Sequence, residues 1–179
     1  MLETALQNRE QEQIQENLQY IKDGVQECYD DVRELLNNFR IKINGEDFAG
    51  VIRVLVGRFE QQTQIAVRLS WHGNGPPLNT DQQLQVAFIL QESLSNVRKH
   101  SQASQVDIRF DNDQDFVMDI QDDGCGFDTE RIKEQNGHYV GLHIMRERAS
   151  RICAELTLQS APGGTRVTLK LPREERRQA

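Results

Sequence analysis

The sequence QDDGCGF (Gln121–Phe127) directly follows FVMDI (Phe116–Ile120), an apolar run that predicts a buried strand. It places one carboxylate, Asp122, at the strand end and two glycines, Gly124 and Gly126, just after it. Because glycine has no side chain, the backbone here can approach a flat ligand closely, and the acid can accept a hydrogen bond from an exocyclic amine. Asp-Gly pairs are also common in hairpins, so a plain strand-ending turn stays open at this point. An EF-hand-like metal loop is poorly supported, because the spaced downstream acids are missing.

The helix predicted before this stretch carries a second group of polar residues. Glu92 and Asn96 are four residues apart and share one helix face, and His100 continues that row. Lys99 lies seven residues from Glu92, near the same face. Acid and amide oxygens suit a magnesium ion, whereas a lysine and a histidine suit phosphate. Because many solvated helices carry such residues, the spacing alone also fits an ordinary solvent-facing surface.

Two glycine pairs follow toward the C-terminus. The first lies in GHYVGL (Gly137–Leu142), directly before an apolar-periodic helix, and the second opens Gly163–Thr165, before the last predicted strand. Amide N–H groups at a helix N-terminus favour anions, so GHYVGL indicates phosphate-cradle chemistry. It is not a P-loop, because no Gly-Lys-Ser/Thr follows, and the context and glycine spacing of a Rossmann fold are absent.

The order of helices and strands follows from periodicity and turn signals. Helices are predicted at Phe48–Phe59, from Thr80 to about Lys99 and near Leu142–Cys153, and strands at Gln64–Leu69, Gln105–Phe110, Phe116–Gln121, Glu155–Gln159 and Arg166–Leu171. Thr80 and Gln83 form a capping box, and Trp71–Asn79 is predicted to be a loop. Strands that are mostly adjacent, with helices between some of them, predict an α+β fold. We expect a two-layer sandwich in which helices cover one face of a mixed, largely antiparallel sheet.

The N-terminal part of the chain carries an apolar seam, with spacings that alternate between four and three, at Ile14, Leu18, Ile21, Val25, Cys28, Val32, Leu35 and Phe39. So narrow a stripe needs partner helices, so we expect a long coiled-coil or bundle helix that dimerises; packing against the rest of its own chain is the alternative. The expected organisation is a bundle helix at 1–42, a globular domain at 43–174 and a tail at 175–179.

Composition limits the possible classes of protein. The formal net charge of −7 argues against a general nucleic-acid binder. The basic end, Arg173–Arg177, is interleaved with acids and is expected to be a solvated tail. Three scattered cysteines without CxxC spacing favour reduced thiols in a cytosolic setting, and no zinc signature is present. No apolar run is long enough to cross a bilayer, so we expect these residues to be soluble and to make no membrane contact.

The order of the motifs resembles the ATP-binding domain of sensor histidine kinases, in the family that also includes the gyrase, Hsp90 and MutL ATPases. The acid–amide helix, Asp-x-Gly-x-Gly, Gly-x-x-x-Gly-Leu and Gly-Gly-Thr follow the order of that family's N, G1 and G2 boxes. The resemblance covers about Phe48 to Pro172, and the seam helix resembles the second helix of the dimerisation and phosphotransfer module. Two segments, Tyr29–Leu36 and Gly141–Ala149, are similar to nitrate/nitrite sensor kinases of the NarX and NarQ type.

This resemblance implies a role for each candidate residue. Asn96 would bind the magnesium ion that bridges the ATP phosphates, and Glu92 would act as general base or orient the attacking histidine. Lys99 and His100 would face the phosphates. At the other end of the nucleotide, the adenine would be held by Asp122, Gly124, Gly126 and Thr165, with the carboxylate accepting the amino group's hydrogen bond. Gly137 and Gly141 would bound the ATP lid and support the phosphates at the start of the helix, and Leu142 beside them would also bind the nucleotide.

The sequence departs from the family pattern in two places. Tyr139 stands where a middle glycine is common, and no histidine is followed by an acidic residue in the way of a phosphoacceptor. The chain is therefore expected to begin after the acceptor helix, as a cytoplasmic fragment of an inner-membrane sensor. Its expected cofactors are ATP and Mg²⁺, and its expected partners are a response regulator and a second copy of the chain. We expect Phe127–Gly137 to form a lid that is mobile without nucleotide.

Two other functions are less consistent with the motifs. An anti-sigma-factor serine kinase of the same superfamily is disfavoured because such kinases lack the leading seam helix. A dimeric binding module with a degenerate, nucleotide-free domain is disfavoured because all three boxes keep their polar residues.

Overall fold

The computed structural model describes residues 17–18, 21–22, 25, 48–127 and 140–176. The chain divides into two compact units, Met1–Ile43 and Asn44–Ala179. In the first unit, the seam residues that are described are helical and expose about 60% of their surface: Leu18, Ile21 and Val25. Among the described residues, no helix is both long and apolar enough to cross a membrane.

The second unit contains the helices and strands predicted from periodicity, together with a π-helix and a 3-10 helix that were not predicted. In chain order they are α1 Phe48–Thr63, β1 Ala66–His72, α2 Thr80–Asn96, a π-helix Val97–Ser101, β2 Gln105–Asn112, β3 Phe116–Asp122, α3 Val140–Arg151, β4 Glu155–Ala161, β5 Gly164–Leu171 and a 3-10 helix Arg173–Arg176. The sheet order is β1-β2-β3-β5-β4; β1 and β2 are parallel, and every other neighbouring pair is antiparallel. The predicted α+β fold with a mixed, largely antiparallel sheet is confirmed.

The hydrophobic core lies between the helices and one face of the sheet. Along β2 and β3 every second side chain is buried, while those between them are more exposed. The buried residues pack with apolar residues of all three helices, including Ile52, Ile89 and Met145. This alternation leaves the other face polar, with the ion pairs Arg68–Asp107 and Arg166–Asp119 on it. The helices and the hydrophobic core therefore lie on one face of the sheet.

The start of α2 differs by one residue from our prediction. Asn79, rather than Thr80, is the N-cap: its side chain accepts from the Gln82 N–H at 2.9 Å, and the Gln82 side chain accepts from the Asn79 N–H at 3.0 Å. Both residue pairs have the capping-box spacing, but asparagine is the better N-cap, so the helix begins one residue earlier in register.

The strand and helix ends also differ from the predicted ones. Strand β1 extends through Trp71 and His72, which we predicted as loop, because its parallel pairing with β2 continues to His72↔Asp111. The Trp71 ring stacks on Phe110 with centroids 4.1 Å apart. After Asn96 the chain continues as a π-helix instead of an α-helix to Lys99, and left-handed Gln102 (φ 54°) ends it.

The solvated basic tail expected from Arg173 onward is wrong for Arg176. This side chain is only 5% exposed and donates hydrogen bonds to the Pro76 carbonyl (3.0 Å), the Gln114 carbonyl (2.5 Å) and the Asn112 side chain. A charge pattern does not reveal such a position, because the acceptors come from two distant turns. Arg176 joins the β1–α2 loop to the β2–β3 turn, at the opposite end of β3 from Asp122.

Candidate functional site

Helices α2 and α3 run antiparallel across the sheet, and three contacts between them show which part of α2 lies beside the first turn of α3. At one end, Arg151 lies 3.7 Å from Asp81; in the middle, the Arg148 guanidinium lies 3.9 Å from the centre of the Phe88 ring. The first turn of α3 is therefore beside the C-terminal half of α2. There, Gly141 lies against the Glu92 carboxylate: a Cβ at Gly141 would collide with Oε1 and lie 3.0 Å from Cδ. The helix that carries Glu92 and Asn96 thus meets the GHYVGL motif.

The glycines that follow Asp122 contact the π-helix that continues from the C-terminal end of α2. We call Asp122–Phe127 the glycine loop. The Cys125 N–H donates to the Ser101 carbonyl at 2.8 Å, and a Cβ at Gly124 would lie 2.7 Å from the Ser101 Cβ. The glycine loop is therefore packed on the last residue of the π-helix, five residues beyond Asn96. Only glycine fits at position 124 at this separation.

Asp122 is the buried carboxylate of this region, with 5% of its surface exposed. Burial raises the pKa of Asp122, and the backbone N–H groups of Gly124 (2.9 Å) and Thr165 oppose that rise by hydrogen bonding. On the same side, Gly164 touches the Asp122 carbonyl so closely that a Cβ would collide with it. The Gly-Gly-Thr motif at the start of β5 is thereby joined to the strand end that carries the acid.

A chain of hydroxyl hydrogen bonds anchors the other end of the glycine loop. The Phe127 N–H donates to Ser160 Oγ at 2.8 Å, and Ser160 Oγ lies 3.0 Å from Thr165 Oγ1. Gly126 adopts φ 63° and lies against the Ala161 carbonyl, where a Cβ would collide. Ser160 was not predicted as a site residue, because a serine in an amphipathic strand carries no signal of its own. Its pairing with Thr165 follows only from the β4–β5 register.

The remaining predicted residues have less uniform positions. Asn96 is half-buried at the last residue of α2, while Lys99 and His100 are exposed on the π-helix. Leu142 is only 9% exposed and belongs to the hydrophobic core, so it contributes by packing the start of α3. Gly137 lies outside the described residues, as does the predicted lid apart from Phe127.

Comparison with known proteins identifies this arrangement. The profile of the family described as histidine kinase-, DNA gyrase B-, and HSP90-like ATPase matches residues 80–175. The nitrate/nitrite sensor protein NarQ of Escherichia coli (strain K12) is 34% identical over 151 residues, which are 82% of this chain and 26% of NarQ. NarX of the same strain is 28% identical over 160 residues, 88% of this chain and 26% of NarX. The Acinetobacter baumannii histidine kinase AdeS shares the fold, with a TM-score of 0.62 and 16% identity over 84% of this chain and 79% of that chain.

The fold and the profile together define an ATP-binding domain of the kind found in histidine kinases. The chain belongs to the family of histidine kinase-, DNA gyrase B-, and HSP90-like ATPases. It is related to the NarQ and NarX sensor proteins, and it spans about a quarter of the length of these curated relatives.

Proposed function

We propose that this chain is the ATP-binding catalytic part of a sensor histidine kinase and that it binds ATP together with Mg²⁺. The supporting observation is the meeting of motifs that are far apart in the sequence. Gly141 touches Glu92, Cys125 donates to Ser101, and Thr165 donates to Asp122. These contacts bring the motifs next to one another, as a single binding site for one elongated ligand requires.

At the adenine end, the ionised carboxylate of Asp122 accepts the hydrogen bond of the base's amino group. Gly124 and Gly126 have no side chains, so the flat base can lie directly against the backbone of the glycine loop. Thr165 completes the polar contacts, and its own position is supported by Ser160 at 3.0 Å. A buried acceptor that is held in place by backbone N–H groups suits an amine donor and disfavours a keto group at the same position.

At the phosphate end, the residues present fit a magnesium ion shared with the nucleotide. No group of three or more His, Cys, Asp or Glu among the described residues could hold a metal alone. Mg²⁺ with ATP needs only one or two protein oxygens, because phosphates and water supply the rest, and the Asn96 amide oxygen meets that need. When bound, the ion neutralises phosphate charge. Lys99 and His100 face the phosphates, and the start of α3 at Gly141 supports them. Gly137 and Gly141 bound the proposed ATP lid.

The chemistry proposed for the full protein is transfer of the γ-phosphoryl group to a histidine. The bond between the phosphorus and the ADP oxygen breaks, and a bond to an imidazole nitrogen forms. Glu92 takes up or orients the proton on the other imidazole nitrogen. The acceptor histidine belongs to a helix outside this chain, and the phosphoryl group then passes to an aspartate of a response regulator. Such a site acts mainly by positioning and charge neutralisation.

For the whole chain we propose the second helix of a dimerisation and phosphotransfer module at 1–42 and an ATP-binding domain that begins at 43 and extends past the predicted boundary at 174, because Arg176 is buried in it. The exposed apolar residues of the seam, Leu18, Ile21 and Val25, support dimerisation through this helix. Relatedness to NarQ and NarX supports a nitrate- or nitrite-responsive sensor, with this part on the cytoplasmic side, where ATP is present.

The test is a titration with a fluorescent ATP analogue, with and without Mg²⁺. The unmodified chain should bind more tightly with Mg²⁺; Asn96→Ala should lose that increment, and Asp122→Ala should lose most binding under both conditions. If all three proteins bind alike, the assignment of the site is wrong. Supplying the acceptor helix in trans and measuring acid-labile phosphate then distinguishes a histidine kinase from a serine kinase, whose phosphoester is acid-stable.

A further inference from the structure

We propose that Asp123 is a positioning residue, which fixes the helix ending at Asn96 against the strand ending at Asp122 and thereby sets the spacing between the metal-binding and adenine-binding groups. The inference rests on the proposed function, because it concerns how that one pocket is held together. Asp123 itself is exposed and points away from the buried carboxylate's hydrogen-bond partners, toward the turn before β2.

The Asp123 carboxylate holds that turn with three hydrogen bonds. Its Oδ1 accepts from the backbone N–H groups of Ser104 (2.8 Å) and Gln105 (2.9 Å), and its Oδ2 accepts from the Ser104 hydroxyl (2.6 Å). These donors hold the pKa of Asp123 below its ordinary value. The Asp123 N–H also donates to the Gln105 carbonyl at 3.3 Å. The regular β2–β3 pairing ends at Val106↔Asp122, so these bonds lie beyond the ladder.

The turn held in this way leads directly back to the helix that carries Asn96. Ser101 Oγ donates to the Val97 carbonyl at 2.8 Å and accepts from the Ala103 N–H at 3.0 Å. Gln102 between them is left-handed, with φ 54°. The chain from the π-helix to Ser104 is thus fixed by local hydrogen bonds, so a clamp at Ser104 also restrains the last turn of the helix.

A second connection runs in the opposite direction across the same gap. The Cys125 N–H donates to the Ser101 carbonyl at 2.8 Å, and Gly124 lies in contact with Ser101. Cys125 therefore donates to the end of the helix, while Asp123 accepts from the turn after that helix. Two connections on either side of Gly124 prevent the helix end from sliding or rotating relative to Asp122, which one connection alone would allow.

If Asp123 had a purely local role, its replacement would lower the stability of the domain without changing nucleotide affinity. Asp115 offers the matched control. It lies at the other end of β3, and its carboxylate also accepts a backbone N–H, that of Arg173 at 3.1 Å, and pairs with Lys170 at 3.1 Å. We would measure calorimetric affinities for AMP without Mg²⁺, which reports the adenine end, and for ATP with Mg²⁺, which needs both ends. The variants are Asp123→Ala, Asp123→Asn and Asp115→Ala.

Asp123→Ala should weaken Mg²⁺–ATP binding about tenfold and AMP binding less than about twofold, because only the longer ligand reports the spacing. Asp123→Asn should bind nearly as the unmodified chain does, since its Oδ1 can still accept both backbone N–H groups. In the Asp123→Ala background, Asn96→Ala should have almost no further effect. Should Asp123→Ala unfold at the assay temperature, Ser104→Ala, which removes one of the bonds, should weaken Mg²⁺–ATP binding about twofold to threefold.

Equal Mg²⁺–ATP affinities in Asp123→Ala and Asp115→Ala, or an unchanged effect of Asn96→Ala in the Asp123→Ala background, would refute the positioning role. The proposed function would survive that result, because the unmodified chain would still bind ATP. Absence of ATP binding by the unmodified chain would instead overturn the proposed function, and the positioning role with it.

Discussion

Replacing Gly141 by alanine tests whether the position of the Glu92 carboxylate matters to phosphoryl transfer. The added Cβ would collide with Glu92 Oε1 and lie 3.0 Å from Cδ. Carbon atoms in ordinary contact are about 3.5–4.0 Å apart, so the carboxylate must move by roughly 1 Å. The obstacle is the flexible end of a side chain, so the backbone of α3 can stay where it is.

The magnitudes for stability and for activity should differ. Alanine favours a helix over glycine by up to about 1 kcal/mol, which offsets the cost of moving Glu92, so the free energy of unfolding should change by less than about 1 kcal/mol. A displacement of about 1 Å in a group that acts on the nucleophile costs about 100-fold in rate, or about 2.7 kcal/mol. The rate is compared at saturating ATP, because Gly141 also lies at the proposed phosphate end and its replacement is expected to lower ATP affinity as well.

The assay is the rate of acid-labile phosphate formation in the full-length protein, with urea unfolding and ATP titration of this chain measured in parallel. Gly57→Ala in α1 is the matched control, because nothing lies within 4 Å of the added Cβ. It should stabilise the domain by about 1 kcal/mol and leave the rate unchanged. An unchanged phosphorylation rate in Gly141→Ala would refute the role of Glu92. An equal loss of rate in Gly57→Ala would show that rigidity, not the carboxylate, is responsible.

Three further predictions follow from charges and hydrogen bonds. Burial raises the pKa of Asp122, so ATP affinity should fall as pH drops through that raised value, above the ordinary value of about 3.9, and calorimetry should show no such step for the residual binding of Asp122→Ala. Arg176→Met should lower the free energy of unfolding in urea by about 2–4 kcal/mol, because it removes a buried guanidinium that donates to three acceptors, and should not change ATP affinity. Hydrogen bonds lower the pKa values of Asp115 and Asp123. The stabilisation they provide is present above about pH 3.9 and is lost as pH falls through the lowered pKa values, so the free energy of unfolding of Asp123→Ala should fall less steeply with pH in that range than that of the unmodified chain.

Much of the fold could be predicted because each strand and helix carries its own local signal. Alternation in β2 and β3 and the apolar periodicity of α2 are properties of short segments, and they gave the sheet and its helical layer. The errors fall at element ends. The N-cap is Asn79 instead of Thr80, because two residue pairs have the capping-box spacing and asparagine is the better N-cap. The residues after Asn96 form a π-helix, which ends at left-handed Gln102.

The candidate site could be predicted only where a residue type signals its chemistry. Asp122 beside two glycines and Glu92 four residues before Asn96 carry such a signal. Ser160 and Asp123 do not, because their roles depend on partners that are 33 and 19 residues away in the sequence. The buried position of Arg176 was missed for the same reason, since its partners Pro76 and Asn112 are 100 and 64 residues distant. Contacts made by tertiary structure leave no mark at a single position.

The central claim is that the helix ending at Asn96, the glycine loop and the start of α3 surround a single nucleotide. A crystal structure of this chain with a non-hydrolysable ATP analogue and Mg²⁺ tests it most directly. We expect the adenine amino group within hydrogen-bond distance of the Asp122 carboxylate, the metal at the Asn96 amide oxygen and the phosphates between Lys99 and Gly141. A nucleotide bound elsewhere on the domain, or an adenine that does not contact Asp122, would contradict it.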